Sequence, residues 1–175
     1  MAAHSNPRSM SIEAIDEYLA IAEHCISTRK TNGGVYGYPA VLLLFCIIDA
    51  LGNYVGHAKN TLRGIQSIFP DLSEEQIKHL KNWYRNLPAH QAIIMPGTQL
   101  SDDPIGTAIE FDSDGEPTHI RVIPLYRAVK SGWEAFDKST INPTFEQNQA
   151  PKTPVLTTHS ALPGVSGCYV TTVKP

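Results

Sequence analysis

At 175 residues, with 42% hydrophobic and 18% charged residues, the chain is the size of one globular domain with some excess, long enough to bury a core without disulfide staples. A net charge of -3 and a pI near 6.1 exclude a global attraction to nucleic acid or anionic membrane, so any phosphate-binding surface has to be local. Three widely spaced cysteines, Cys25, Cys46 and Cys168, form no C-x-x-C pair and no disulfide framework, and the start lacks an apolar signal core; the expectation is a cytoplasmic protein.

Residues 1–10 read as an N-terminal segment. From Ser11, the residues Ile12, Ile15, Leu19, Ala22 and Ile26 recur at spacings of three and four, which marks one face of a helix. Ser11 is its expected N-cap, Met10 and Ile15 its hydrophobic staple, and Arg29 and Lys30 suit the negative end of its dipole. The stretch TNGGVYG ends it in a turn. A second helix is expected from Pro39 to about Gly56, apolar nearly all round; its core, AVLLLFCII, is far short of a membrane span and is followed at once by Asp49. A short helix fits KNTLRGIQSIF, and Pro70 breaks it.

Ser73 and Gln76 then form a capping box, and Ile77, Leu80, Tyr84 and Leu87 mark the apolar face of a third long helix. The period changes after it. GTAIEF and THIRVI, two runs rich in β-formers, flank DSDGEP and predict a β-hairpin near residues 106–123. Pro124 opens the last helix, with Leu125, Val129, Trp133 and Phe136 at helical spacing. Residues 139–175 are rich in Pro, Thr, Ser, Asn and Gln, with too few apolar residues for a second core, and read as a tail whose best anchor is GCYV at 167–170. The fold class that follows is mainly α, an up-and-down four-helix bundle over residues 11–138 with a small β-hairpin before the last helix.

Chemistry concentrates in NWYRNLPAHQ, residues 82–91, where a fixed cation, an amide and a titratable imidazole converge at the end of the third long helix. Such a set suits metal-independent RNA cleavage by the ribose 2′-hydroxyl. Histidine titrates near neutrality and can take the hydroxyl proton, while guanidinium offers a permanent charge and a planar fork of donors to a phosphorane-like transition state. Asp49 interrupts the apolar second helix, and a carboxylate there calls for a cation or hydrogen-bond donors. Pro88 disfavours helix at Leu87, so Arg85 and His90 are not expected on one continuous helix, where five steps would in any case set them about 140° apart. The remaining histidines, His4, His24, His57, His79, His119 and His159, show no metal-ligand spacing, and the paired glycines at 33 and 34 lack the rest of a phosphate loop; neither a metal nor a cofactor is expected.

YRNLPAH, with Arg85, Asn86 and His90, resembles the motif of the HEPN superfamily, the higher-eukaryote and prokaryote nucleotide-binding helical domains: an Arg, a polar neighbour and a His a few residues on. YPAVLLLFCIIDALG looks like the long apolar helix that precedes this motif in small bacterial relatives, with Asp49 as its polar residue. The resemblance implies an RNA-binding helical domain that forms a homodimer with two Arg/His sets in one cleft, with endoribonuclease roles in toxin–antitoxin and phage-defence systems. On that resemblance Arg85 stabilises phosphate charge, His90 acts as base or acid, Asn86 orients one of them and Asp49 supports. Partners implied are RNA, a second copy and a protein antitoxin or other protein, with no membrane. The alternative is a noncatalytic helical protein-interaction module.

Overall fold

The computed structural model describes residues 6–54, 62–80, 94 and 96–141, and of Leu62 and Arg63 the backbone alone. Within them lie five α-helices, α1 (Pro7–Ser27), α2 (Gly37–Tyr54), α3 (Leu62–Ile68), α4 (Glu74–Leu80) and α5 (Val122–Ala135), three strands, β1 (Gln99–Ser101), β2 (Ile109–Phe111) and β3 (Pro117–Arg121), and a 3₁₀ turn at Lys138–Thr140. The protein is mainly helical with a small sheet.

The first helix starts earlier than its apolar face suggests. Asn6 is the N-cap, its side-chain oxygen accepting from the Arg8 N–H at 2.9 Å, and Pro7 occupies the first turn, where its missing N–H costs nothing. Ser11 is therefore not the cap; it lies one turn inside and its hydroxyl donates to the Pro7 carbonyl at 3.0 Å. Arg29 and Lys30 fall beyond the helix end, in a tight turn where Arg29 bridges Val35 and Gly33 takes the left-handed φ of +85° that closes it. The Lys30 N–H donates to the Gly34 carbonyl at 2.8 Å across that turn.

α2 is the hub. Val41, Leu44, Ile47, Ile48 and Leu51 are buried, and it packs on α1, α3 and α5. By length and composition it could cross a bilayer, the only such helix among the described residues, yet half of that span is buried against its neighbours, as befits the core helix of a globular domain. Its contact with α3 is backbone to backbone: a Cβ built on Gly64 would stand 2.0 Å from the Ile48 carbonyl oxygen and 2.7 Å from the Gly52 nitrogen, so only glycine permits this approach. α1 is tied to α5 by the Trp133 indole N–H, which donates to Asp16 Oδ1 at 2.7 Å. The capping box of α4 forms as expected, with the Ser73 N–H on Gln76 Oε1 at 2.9 Å and the Gln76 N–H on Ser73 Oγ at 3.2 Å.

The hairpin is present but is part of a larger unit. β2 and β3 pair antiparallel around a turn in which Gly115 has φ +79°, and β1, which no periodic signal announced, pairs parallel with β3, giving the order β1-β3-β2. A three-residue strand is too short for alternation to stand out. Leu100, Ile120 and Ile109 are in register across the three strands and join the apolar core, while Gln99, His119 and Glu110 form the next row on the opposite face. β3 ends at Arg121, and Val122 and Ile123, the last residues of THIRVI, open α5 instead, with Pro124 in its first turn. The domain also reaches past residue 138, since Ile141 is fully buried and its carbonyl accepts from Arg8 Nε at 2.9 Å. Tail residues 142–175, including GCYV, lie outside the described residues.

Candidate functional site

Asp49 sits on α2 one residue after the fully buried pair Ile47 and Ile48, and is itself half-buried. Arg85, Asn86 and His90 lie outside the described residues, as do Trp83, Tyr84 and Pro88. What is described is the frame on either side of them. Leu80, the last residue of α4, is fully buried, and Ile94 returns to the same apolar cluster at 8% exposure. Both ends of the segment carrying the motif are thus fixed in one core.

After Ile94 the chain enters β1, and a second set of polar groups appears there that sequence reading passed over. Ser101 Oγ lies 2.7 Å from His119 Nε2, and His119 Nδ1 is 3.6 Å from Glu110 Oε2. The other oxygen of Glu110 accepts from Arg121 at 2.7 Å, and Arg121 also donates to the Thr107 carbonyl at 3.1 Å. The arrangement follows from register: His119 pairs with Glu110 on β2, and Ser101 with Arg121, two residues further along β3. The Arg121 side chain is only 13% exposed, and its hydrogen bond, more than its charge alone, holds the Glu110 carboxyl below the usual carboxylate range. The signal in the sequence was the alternation THIR, which sets His119 and Arg121 on one face; what it could not supply was the partner strands.

Two further side-chain contacts join this sheet to the helical part of the chain. His79, on α4, stands 3.2 Å from Glu116 in the β2–β3 turn, and Arg29 is hydrogen-bonded to Asp102 just after β1. Between the α1–α2 turn and β1 opens a groove of about 310 Å³. Its apolar wall includes Ile94, Leu100 and Val122, and its polar lining includes Lys30, Ser101 and Asp102. Tyr38, half exposed, stands on its edge. Among the described residues no group of three or more His, Cys, Asp or Glu is placed to hold a metal ion. Burial pushes the Cys25 thiol up, which keeps it protonated and a poor nucleophile.

No protein-family model, curated protein or solved structure matches the chain.

Proposed function

We propose that the chain is an HEPN-like RNA-binding domain that acts as a metal-independent endoribonuclease, with Arg85 and His90 as the catalytic pair, Asn86 orienting one of them and Asp49 supporting from α2. The observation that carries this reading is the frame around the motif: the segment holding Arg85 and His90 is bounded by Leu80 and Ile94, both buried in the core to which α2, the helix of Asp49, also contributes. The chemistry is transesterification. His90 takes the proton of a ribose 2′-hydroxyl as its oxygen bonds to the adjacent phosphorus, Arg85 stabilises the charge on the phosphorane oxygens, and the bond to the 5′-oxygen breaks as that oxygen gains a proton. The products are a 2′,3′-cyclic phosphate and a 5′-hydroxyl.

The same reading includes a homodimer with two such sets in one cleft, an up-and-down bundle of the four long helices, and a cytoplasmic role in toxin–antitoxin or phage-defence biology. The dimer draws support from a second apolar stripe on α1, where Met10, Ala14, Tyr18 and Ile21 lie within about 80° alongside the core face and the three larger ones are 40 to 49% exposed. That stripe also favours the second reading, a noncatalytic module that binds a protein partner. The test is cleavage of mixed RNA substrates in the presence of chelator by the native protein, Arg85→Ala and His90→Ala. Loss of cleavage in both variants is expected; undiminished cleavage in both removes the site assignment, and absence of cleavage by the native protein moves the reading to the binding module.

A further inference from the structure

The groove between the α1–α2 turn and β1 has the make-up of a site for one flat heterocycle: an apolar wall, an aromatic ring at the edge and a rim of polar groups. Its volume, about 310 Å³, is at the scale of a nucleoside. Its position bears on the RNA-cleaving reading, because Ile94 lines it and follows His90 by four residues, and four extended residues span at most ~14 Å. A few nucleotides of single-stranded RNA are enough to cover that maximum reach.

The rim selects among bases. Arg29 engages Asp102 through Oδ2 alone, and Oδ1 makes no hydrogen bond among the described residues, with the side chain 32% exposed. A carboxylate is an acceptor only, with room for about four hydrogen bonds. Guanine is the base whose Watson–Crick edge offers two neighbouring donors, N1–H and N2–H; adenine, cytosine and uracil each set an acceptor beside the donor. Tyr38 at 50% exposure offers a stacking face, and Lys30, whose ammonium stands 5.9 Å from the Tyr36 ring centre, offers a cation for the strand's phosphate.

We infer that this groove is the base-recognition subsite of the RNA-binding surface and that it takes a guanine, with Asp102 accepting from its N1–H and N2–H groups, Tyr38 stacking on the ring and Lys30 meeting the adjacent phosphate. The inference rests on the proposed RNA-binding function and adds to it a substrate preference and three residues outside the Arg85/His90 motif.

The experiment titrates the full chain, in chelator, against fluorescent single-stranded RNA pentamers that differ at one central base, guanine, inosine, adenine, cytosine or uracil, read by anisotropy. Cleavage of the same pentamers is followed in parallel. The native protein is expected to bind the guanine probe about tenfold more tightly than the adenine probe, with inosine, which lacks the 2-amino group, in between. Asp102→Asn should bring guanine and adenine within about twofold of each other. Tyr38→Ala should weaken every probe about tenfold while keeping their order. Circular dichroism of both variants checks that the fold is kept, and Tyr38→Ala, which breaks no ion pair, keeps the test open if Asp102→Asn unfolds. Equal affinity of the native protein for all five probes, or guanine preference surviving in a folded Asp102→Asn, overturns the subsite even if the RNA is cut. Guanine-selective binding without cleavage upholds the subsite and removes the nuclease reading instead.

Discussion

The α2–α3 contact and the outer face of the sheet are built on opposite terms. Where α3 crosses α2, specificity comes from the absence of a side chain, Gly64 resting on the backbone of Ile48 and Gly52. On the sheet it comes from side chains that reach across three strands, Ser101 to His119 to Glu110 to Arg121. A backbone contact cannot yield, whereas a row of side chains whose Glu110 is half exposed can exchange part of a lost partner for water. The two regions should therefore differ sharply in how much they tolerate.

The largest effect is expected at the helix crossing. Gly64→Ala puts a methyl group 2.0 Å from a carbonyl oxygen, so α3 has to move off α2, at a cost of about 3 kcal/mol or more. Chemical denaturation should show a lower midpoint with little change in slope. Gly132→Ala is the control, because its Cβ would meet the Ile68 side chain at 2.9 Å and the gain in helix propensity offsets part of the crowding; it should stay within about 1 kcal/mol of native. Equal losses in the two would show that the α2–α3 approach is not special.

On the sheet, Arg121→Ala should cost about 2 kcal/mol, since it removes a largely buried stem together with the hydrogen bonds to Glu110 and the Thr107 carbonyl. Thermal melts of Arg121→Ala and Arg121→Lys separate those parts: lysine keeps the charge and most of the stem but not the fork of donors. If lysine restores native stability, the geometry of the guanidinium donors is irrelevant and the charge suffices. Smaller again is the cap of α4, where Ser73→Ala should lose about 1 kcal/mol through the Gln76 N–H it leaves without a side-chain acceptor. No loss there would show that water caps the helix equally well.

The same contrast explains what could be read in the sequence. Helix faces and the Ser73/Gln76 box are local patterns, set by residues three and four apart; α1, α2 and α5 follow them to within a few residues, and α4 follows them at its start, while Tyr84 and Leu87 lie outside the described residues. Helix ends depart from the apolar pattern where a stronger cap lies outside it, as Asn6 and Pro7 do. β1 and the polar row were not legible, because Gln99 meets His119 and Ser101 meets Arg121 only through a parallel register twenty residues long in sequence separation. The groove depends on that strand too, since Ser101 and Asp102 line it opposite Lys30. Of the candidate site residues, Asp49 alone falls among the described residues, half-buried on the hub helix.

The smallest expected effect is also the most diagnostic of the polar row. Glu110 has its pKa lowered chiefly by the hydrogen bond from Arg121, so its folded form binds a proton less readily than the unfolded chain does. A lowered carboxylate pKa contributes stability that is present above the ordinary glutamate value of about 4.3 and is lost as the pH falls through the lower folded value. Glu110→Gln keeps the shape and removes the titration. The gap in melting temperature between native protein and Glu110→Gln should be open at pH 7, narrow below about pH 4 and close in stronger acid. Because Glu110 is 46% exposed, added salt should shrink the gap at pH 7 as well. A gap that stays constant into strong acid would mean that the glutamate contributes by packing or by neutral hydrogen bonding and that its charge is not what stabilises the sheet.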